Sequence, residues 1–187
     1  MNRCSWCESD DLYMKYHDEE WGVPVHDDRK QFEFLVLESA QSGLSWLTIL
    51  KRRENYRLAY DNFEPEKVAR YDSKKIDELL SNPGIIRNRR KIEASINNAR
   101  RFLDVQREFG SFDKYIWEFV HDQPIINSYQ DISGIPATSP LSDTISKDLK
   151  QRGFSFLGSV TVYAHMQATG IVNDHIDSCF RKTLQAG

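Results

Sequence analysis

At 187 residues, 40% of them hydrophobic, the chain is long enough to bury a substantial core and is most simply read as one domain. No apolar run approaches the length of a membrane span, and the opening MNRCSWCESD lacks the apolar stretch of a secretory signal; a membrane-embedded class is excluded and a cytoplasmic protein is expected. The formal net charge of −3 argues against general polyanion binding, although charge can still be concentrated on one face.

The chain begins with Cys4, Cys7 and His17, and either Cys4-x-x-Cys7 or Cys4 with His17 makes half of a metal site. Residues 29–41 (RKQFEFLVLESAQ) are strongly apolar. Residues 45–60 start at a Ser cap and end near Asp61-Asn62, so the two segments predict a buried helical pair. Pro65 opens a short helix, Ser73 caps another that reaches Leu80, and Asn82-Pro83-Gly84 breaks the chain. Over 87–108, Ile92, Ile96, Ala99 and Leu103 recur at helical spacings with a basic and polar opposite face. A further helix is expected over 111–120 and mostly loop over 123–139, before Ser139-Pro140 starts a helix running to Gln151.

GFSFLGS at 153–159, followed by the apolar run VTVYAHMQATG, predicts two helices joined by a hairpin containing Gly153 and Gly158. Glycines there admit positive φ and the close approach of another backbone, a phosphate backbone included. In the final segment IVNDHIDSCF, His175 and Cys179 stand four apart, a spacing that on a helix projects both from one face to grip one ion. With Cys4 and His17 they form a Cys₂His₂ set that suggests zinc tying the N-terminus to the C-terminus, with Cys7 open as a substitute for His17. Four protein ligands leave no place for water or substrate, which makes the metal structural. Three cysteines cannot all pair within one chain, and reduced thiols fit the cytoplasm.

Taken together, CSW at 4–6, YHDEEWGVP at 16–24, LESAQSGLSWLTILKRRENYR at 37–57, GIIRNRRKIEASINNAR at 84–100 and GFSFLGSVTVYAHMQATGIVNDH at 153–175 resemble the 3-methyladenine DNA glycosylase I family over nearly the whole chain. The resemblance implies an all-α helix-hairpin-helix glycosylase fold, one domain over 1–187 with the helix-hairpin-helix element at about 141–170. It assigns Cys4, His17, His175 and Cys179 as zinc ligands and leaves Cys7 out. The implied activity is release of free 3-methyladenine from alkylated double-stranded DNA, without strand cleavage, by a monomer that needs no membrane.

That chemistry gives roles to other residues. Trp46 is expected to stack on the flipped base. Glu38, beside the apolar stripe of Phe34 and Leu35, is expected to accept from the exocyclic amine and favour a cationic base as the catalytic carboxylate. Tyr16, Tyr13 and Trp6 complete the pocket wall, while Trp21 is read as core packing. Arg90 and Lys91, within the cluster that includes Arg87 and Arg89, are expected to meet the DNA backbone together with Gly153 and Gly158; Lys147, Lys150 and Arg152 lie near the same hairpin. Asp174 is read as support for its neighbour His175 or as a local cap rather than as a water-activating base.

Overall fold

In the computed structural model, residues 2–182 are described. Ten α-helices are found among them: α1 (Asp11–Glu19), α2 (Asp28–Gln41), α3 (Trp46–Leu50), α4 (Arg53–Ala59), α5 (Pro65–Val68), α6 (Ser73–Ser81), α7 (Arg89–Phe109), α8 (Phe112–Glu118), α9 (Pro140–Gln151) and α10 (Ser159–Ala168). The one small sheet is a parallel pair, β1 (Ile125–Ile126) with β2 (Val172–Asn173), in which Ile125 faces Val172. No helix among the described residues is long and apolar enough to cross a membrane.

The centre of the fold is α2. Asp27 caps it by accepting from the Lys30 N–H, and every residue from Gln31 to Ala40 is buried. A helix buried on all sides must be wrapped by others, and α7, α8, α10 and α3 pack around it. The long α7 offers Ile92, Ile96, Ala99, Phe102 and Val105 to the core. Its Lys91 ammonium donates to the carbonyls of Ala40 and Ser42 at 2.8 and 2.7 Å, satisfying orphan acceptors at the end of α2.

The helix expected over 45–60 is broken in two. The backbone tightens where Arg52 N–H donates to the Ile49 carbonyl, and restarts so that Arg53 reaches Glu20 and Glu33. Between α9 and α10 runs the expected hairpin. Gly153 sits at φ +87°, where Phe154 N–H returns to the Leu149 carbonyl, a helix ending that favours glycine. Asn98 on α7 clamps the turn by accepting from Ser155 N–H and donating to the Ser155 carbonyl, both at 2.8 Å.

Two further elements add to the sequence expectation or depart from it. The segment 123–139 contains β1, which is too short to show any periodicity. His175 and Cys179 lie in a turn after β2 rather than on a helix. There the Asn173 side chain accepts from His175 N–H at 3.1 Å, an Asx turn competing with helix formation.

Candidate active site and metal centre

Four ligand atoms from opposite ends of the chain meet in one buried place. Cys4, ahead of a 3₁₀ turn (Ser5–Cys7), and His17, in the last turn of α1, face His175 and Cys179, and their ligand atoms all lie within 4.8 Å of one another. Cys179 Sγ is 3.5 Å from His17 Nε2 and 3.4 Å from His175 Nδ1, while Cys4 Sγ is 3.7 Å from His175 Nδ1. Tetrahedral metal–sulfur and metal–nitrogen bonds space their ligands about 3.3–3.8 Å apart, so the donor set fits a four-coordinate cation.

The remaining ring nitrogens are held as such a site requires. His17 Nδ1 is 2.8 Å from Asp18 Oδ1, and His175 Nε2 is 3.0 Å from the Trp21 carbonyl, so each ring donates there and turns its other nitrogen inward. Arg3 holds Asp18 in turn at 2.8–3.0 Å. Burial lowers the pKa of His17 and brings that of His175 down to about 3, keeping both imidazoles in the neutral form that ligates metal. Cys7, the alternative ligand, lies outside the set; its thiol donates to the Cys4 carbonyl at 3.1 Å.

Beside this cluster opens a cavity of about 390 Å³ walled by aromatic side chains. Tyr13 and Tyr16 enter from α1, Glu38 and Gln41 from α2, Trp46 from α3, and Ala164 and Gln167 from α10, while Trp6 closes one side and residues 132–136 another. Trp46 lies 5.6 Å from the ring of Tyr16, and Trp6 lies 4.7 Å from that of Tyr13. The structure thus brings all five expected pocket residues together. Trp21, expected as plain core, is a wall of the same cavity and packs edge-on against the His175 ring at 4.6 Å. Gln41, Gln167 and the 132–136 loop were not found from sequence, because no local pattern marks a wall assembled from distant segments.

The polar residues of α2 separate structure from chemistry. Buried Gln31 donates to the Val25 carbonyl and accepts from His165, and buried Glu33 is paired with Arg53 at 2.6 Å. Glu38, only 4% exposed, has an Oε2 with no partner, and burial alone pushes its carboxyl up to about 8. Trp46 Nε1 is likewise buried and unpartnered. Leaving such groups unmade costs about 1–3 kcal/mol each, a cost that a bound guest can offset.

Asp174 is fully buried and accepts from Asn127 at 2.7 Å, Tyr163 at 2.7 Å and Gln167 at 2.8 Å. Its partners are therefore Asn127, Tyr163 and Gln167 rather than the expected His175, whose N–H and ring are held by Asn173 and the Trp21 carbonyl. On the outer face, Arg90 is exposed and has no ion pair among the described residues, and Gly158 opens onto free space. The ammonium of Lys91, also expected at the DNA backbone, is bonded to the Ala40 and Ser42 carbonyls at the end of α2. Arg152 is also committed, pairing with Asp148 and Glu108 over the rings of Phe109 and Tyr115.

Residues 6–182 match the family model of methyladenine glycosylase. DNA-3-methyladenine glycosylase 1 of Escherichia coli (strain K12) is 46% identical over 179 residues, 96% of each chain. A crystal structure of 3-methyladenine DNA glycosylase I superimposes with a TM-score of 0.93 at 48% identity, covering 96% of this chain and 98% of that one. The Staphylococcus aureus 3-methyladenine DNA glycosylase I, in a structure addressing its recognition of 3-methyladenine, gives a TM-score of 0.93 at 42% identity and 97% coverage of both chains.

Proposed function

The chain belongs to the methyladenine glycosylase family, and from that premise we propose that it removes 3-methyladenine from alkylated double-stranded DNA by hydrolysing the N-glycosyl bond. Methylation at N3 gives the base a positive charge and weakens its bond to deoxyribose. The protein's work is then recognition more than acid catalysis: it flips the nucleotide, holds the base and admits water to the anomeric carbon.

The observation that carries this reading is the buried Glu38 carboxyl, its Oε2 without a partner, in an aromatic cavity. A cationic base arriving beside Glu38 favours its ionised form, and the carboxylate then accepts from the exocyclic amine. Neutral adenine supplies no such charge, so selectivity follows from the same buried group. Trp46 and Tyr16 offer ring faces for stacking, with Tyr13 and Trp6 completing the wall. No lysine is among the cavity-lining residues, which supports a monofunctional enzyme that leaves the strand uncut.

Zinc is the cation we assign to Cys4, His17, His175 and Cys179, on the softness of two thiolates with two imidazoles. When bound it supplies a cross-link between the two ends of the fold and no catalytic position. The free thiols suit a reducing cytoplasm. Arg90 and the hairpin glycines Gly153 and Gly158 are assigned to the DNA backbone, and the working unit is a monomer.

Chromatography of bases released from methylated duplex DNA tests the activity, with unmodified DNA as control. Selective release of 3-methyladenine is expected. No release, or equal release from both DNAs, would overturn the assignment.

A further inference from the structure

Recognition explains how the base is held but leaves open what directs water at the sugar. Of the polar side chains lining the cavity, Glu38 is engaged with the base and Tyr13 and Tyr16 wall it with their rings, and the two amides are Gln41 and Gln167. Only Gln167 is anchored: its Nε2 donates to Asp174 Oδ2 at 2.8 Å, and Asp174 is itself immobilised by Tyr163 and Asn127. Ala164, three residues earlier on α10, lines the same cavity, so this face of the helix is turned inward. With the amide nitrogen fixed on Asp174, the planar amide leaves its oxygen as the acceptor that Gln167 can offer to the cavity it lines.

We infer that Gln167 positions the attacking water, its carbonyl oxygen accepting a hydrogen bond from that water while Asp174 fixes the amide; the inference rests on the excision activity proposed for this cavity. Donation to a carboxylate draws charge through the amide onto its oxygen, making Gln167 a stronger acceptor and a better neighbour for a sugar that turns cationic. Asp174 is fully buried, is not among the residues lining the cavity, and already takes three donors. It acts through Gln167 as a positioning residue. In the step itself the C1′–N9 bond breaks and its electron pair stays on the base, neutralising the methylated ring. Water oxygen bonds to C1′, and the surplus proton passes to solvent. A neutral amide suffices because the leaving base is already charged.

Gln167→Met keeps the side chain's length but has no amide oxygen. Its single-turnover excision of 3-methyladenine from methylated duplex DNA should fall about tenfold to a hundredfold, the weak end of what a positioned polar group contributes. Affinity for free 3-methyladenine should change little. When excision is run in water–methanol mixtures, the variant should give a larger share of methyl glycoside than the wild type, because its nucleophile is no longer selected; a structural defect alone would not move that ratio. Gln167→Ala carries the same expectations should the Met variant not fold. Wild-type excision by these variants, an unchanged methanol share, or a loss of base affinity matching the loss of rate would overturn the role of Gln167. A wild-type protein that releases no base would overturn the excision activity itself, and the inference with it.

Discussion

The Cys/His cluster and the aromatic cavity share a boundary, with Trp21 touching both, yet they treat buried polar atoms in opposite ways. In the cluster each spare atom has a partner: His17 turns its second nitrogen to Asp18, His175 turns its own to the Trp21 carbonyl, and Arg3 holds Asp18. In the cavity, Glu38 Oε2 and Trp46 Nε1 are buried without partners. A permanent cross-link gains from a complete set of bonds, whereas a site that must take and release a guest keeps some of its bonding capacity open. The contrast identifies which substitutions should cost stability and which should cost activity.

The largest effect should come from breaking the complete set. Binding energy at small structural zinc sites reaches about 10–16 kcal/mol, so His17→Ala or Cys179→Ser should lose metal and lower the melting temperature steeply. Cys7→Ser, which removes only a thiol bonded to the Cys4 carbonyl, should keep about one zinc per chain. Metal analysis and thermal melting of the three variants read this directly. Equal metal loss at Cys7 and His17 would break the ligand assignment.

Glu38→Gln should show the reverse pattern, with excision falling about a hundredfold in a protein that still melts normally. The pH dependence sharpens it. The Glu38 carboxyl is up at about 8 in the folded chain against about 4.3 when unfolded. Its contribution to stability is therefore fully present below the unfolded value, declines as pH rises between the two, and is gone above about 8. The Gln variant lacks this decline. Its melting temperature should gain on the wild type as pH rises from 5 toward about 8; a constant difference across that range would show that Glu38 does not bury a costly charge.

Trp46→Ala should weaken 3-methyladenine binding by about 1–3 kcal/mol, the range for bases stacked on aromatic platforms. Trp117, 1% exposed and donating to the Val25 carbonyl at 3.0 Å, is the control. Its Ala variant should lose about 3–5 kcal/mol of stability without a selective loss of base affinity. Calorimetric titration and denaturant melts on both proteins would expose a purely structural Trp46, which would unfold as readily as Trp117→Ala.

Much of this contrast was legible in the sequence and some was not. Apolar spacing and the Ser and Pro caps gave α7, α8 and α9 to within a few residues because those signals are local. The Cys₂His₂ set was visible as residue types, but its choice of His17 over Cys7 depended on which side chain the chain path brings inward. His175 and Cys179 sit in a turn rather than on the helix that their four-residue spacing suits, because Asn173 captures the His175 N–H. Trp21, read as core packing, is buried as expected but also walls the cavity, and Gln167 has no sequence signal, since a wall made from remote segments has no period. Glu33 and Glu38 stand five apart on one helix with similar apolar neighbours, and only tertiary structure gives Arg53 to the first and nothing to the second Oε2.

The smallest effects lie on the outer face, where Arg90 and Lys91 repeat the same contrast between free and committed groups. Lys91 is committed: its ammonium serves two carbonyls at the end of α2, and burial lowers its pKa. Lys91→Ala should cost about 1–2 kcal/mol of stability, the upper range for a cation at a helix C-terminus, and leave the salt dependence of DNA binding unchanged. Arg90 is exposed and has no ion pair among the described residues, so Arg90→Ala should leave melting unchanged. If it meets one phosphate, it should reduce the log–log slope of DNA affinity against salt by about 0.9, the value for one neutralised phosphate on duplex DNA. Binding isotherms at a series of salt concentrations, with melts of the same preparations, separate the two. A salt slope that moves with Lys91 and not with Arg90 would mean that the ammonium leaves its carbonyls when DNA arrives, and that the end of α2 is part of the DNA face.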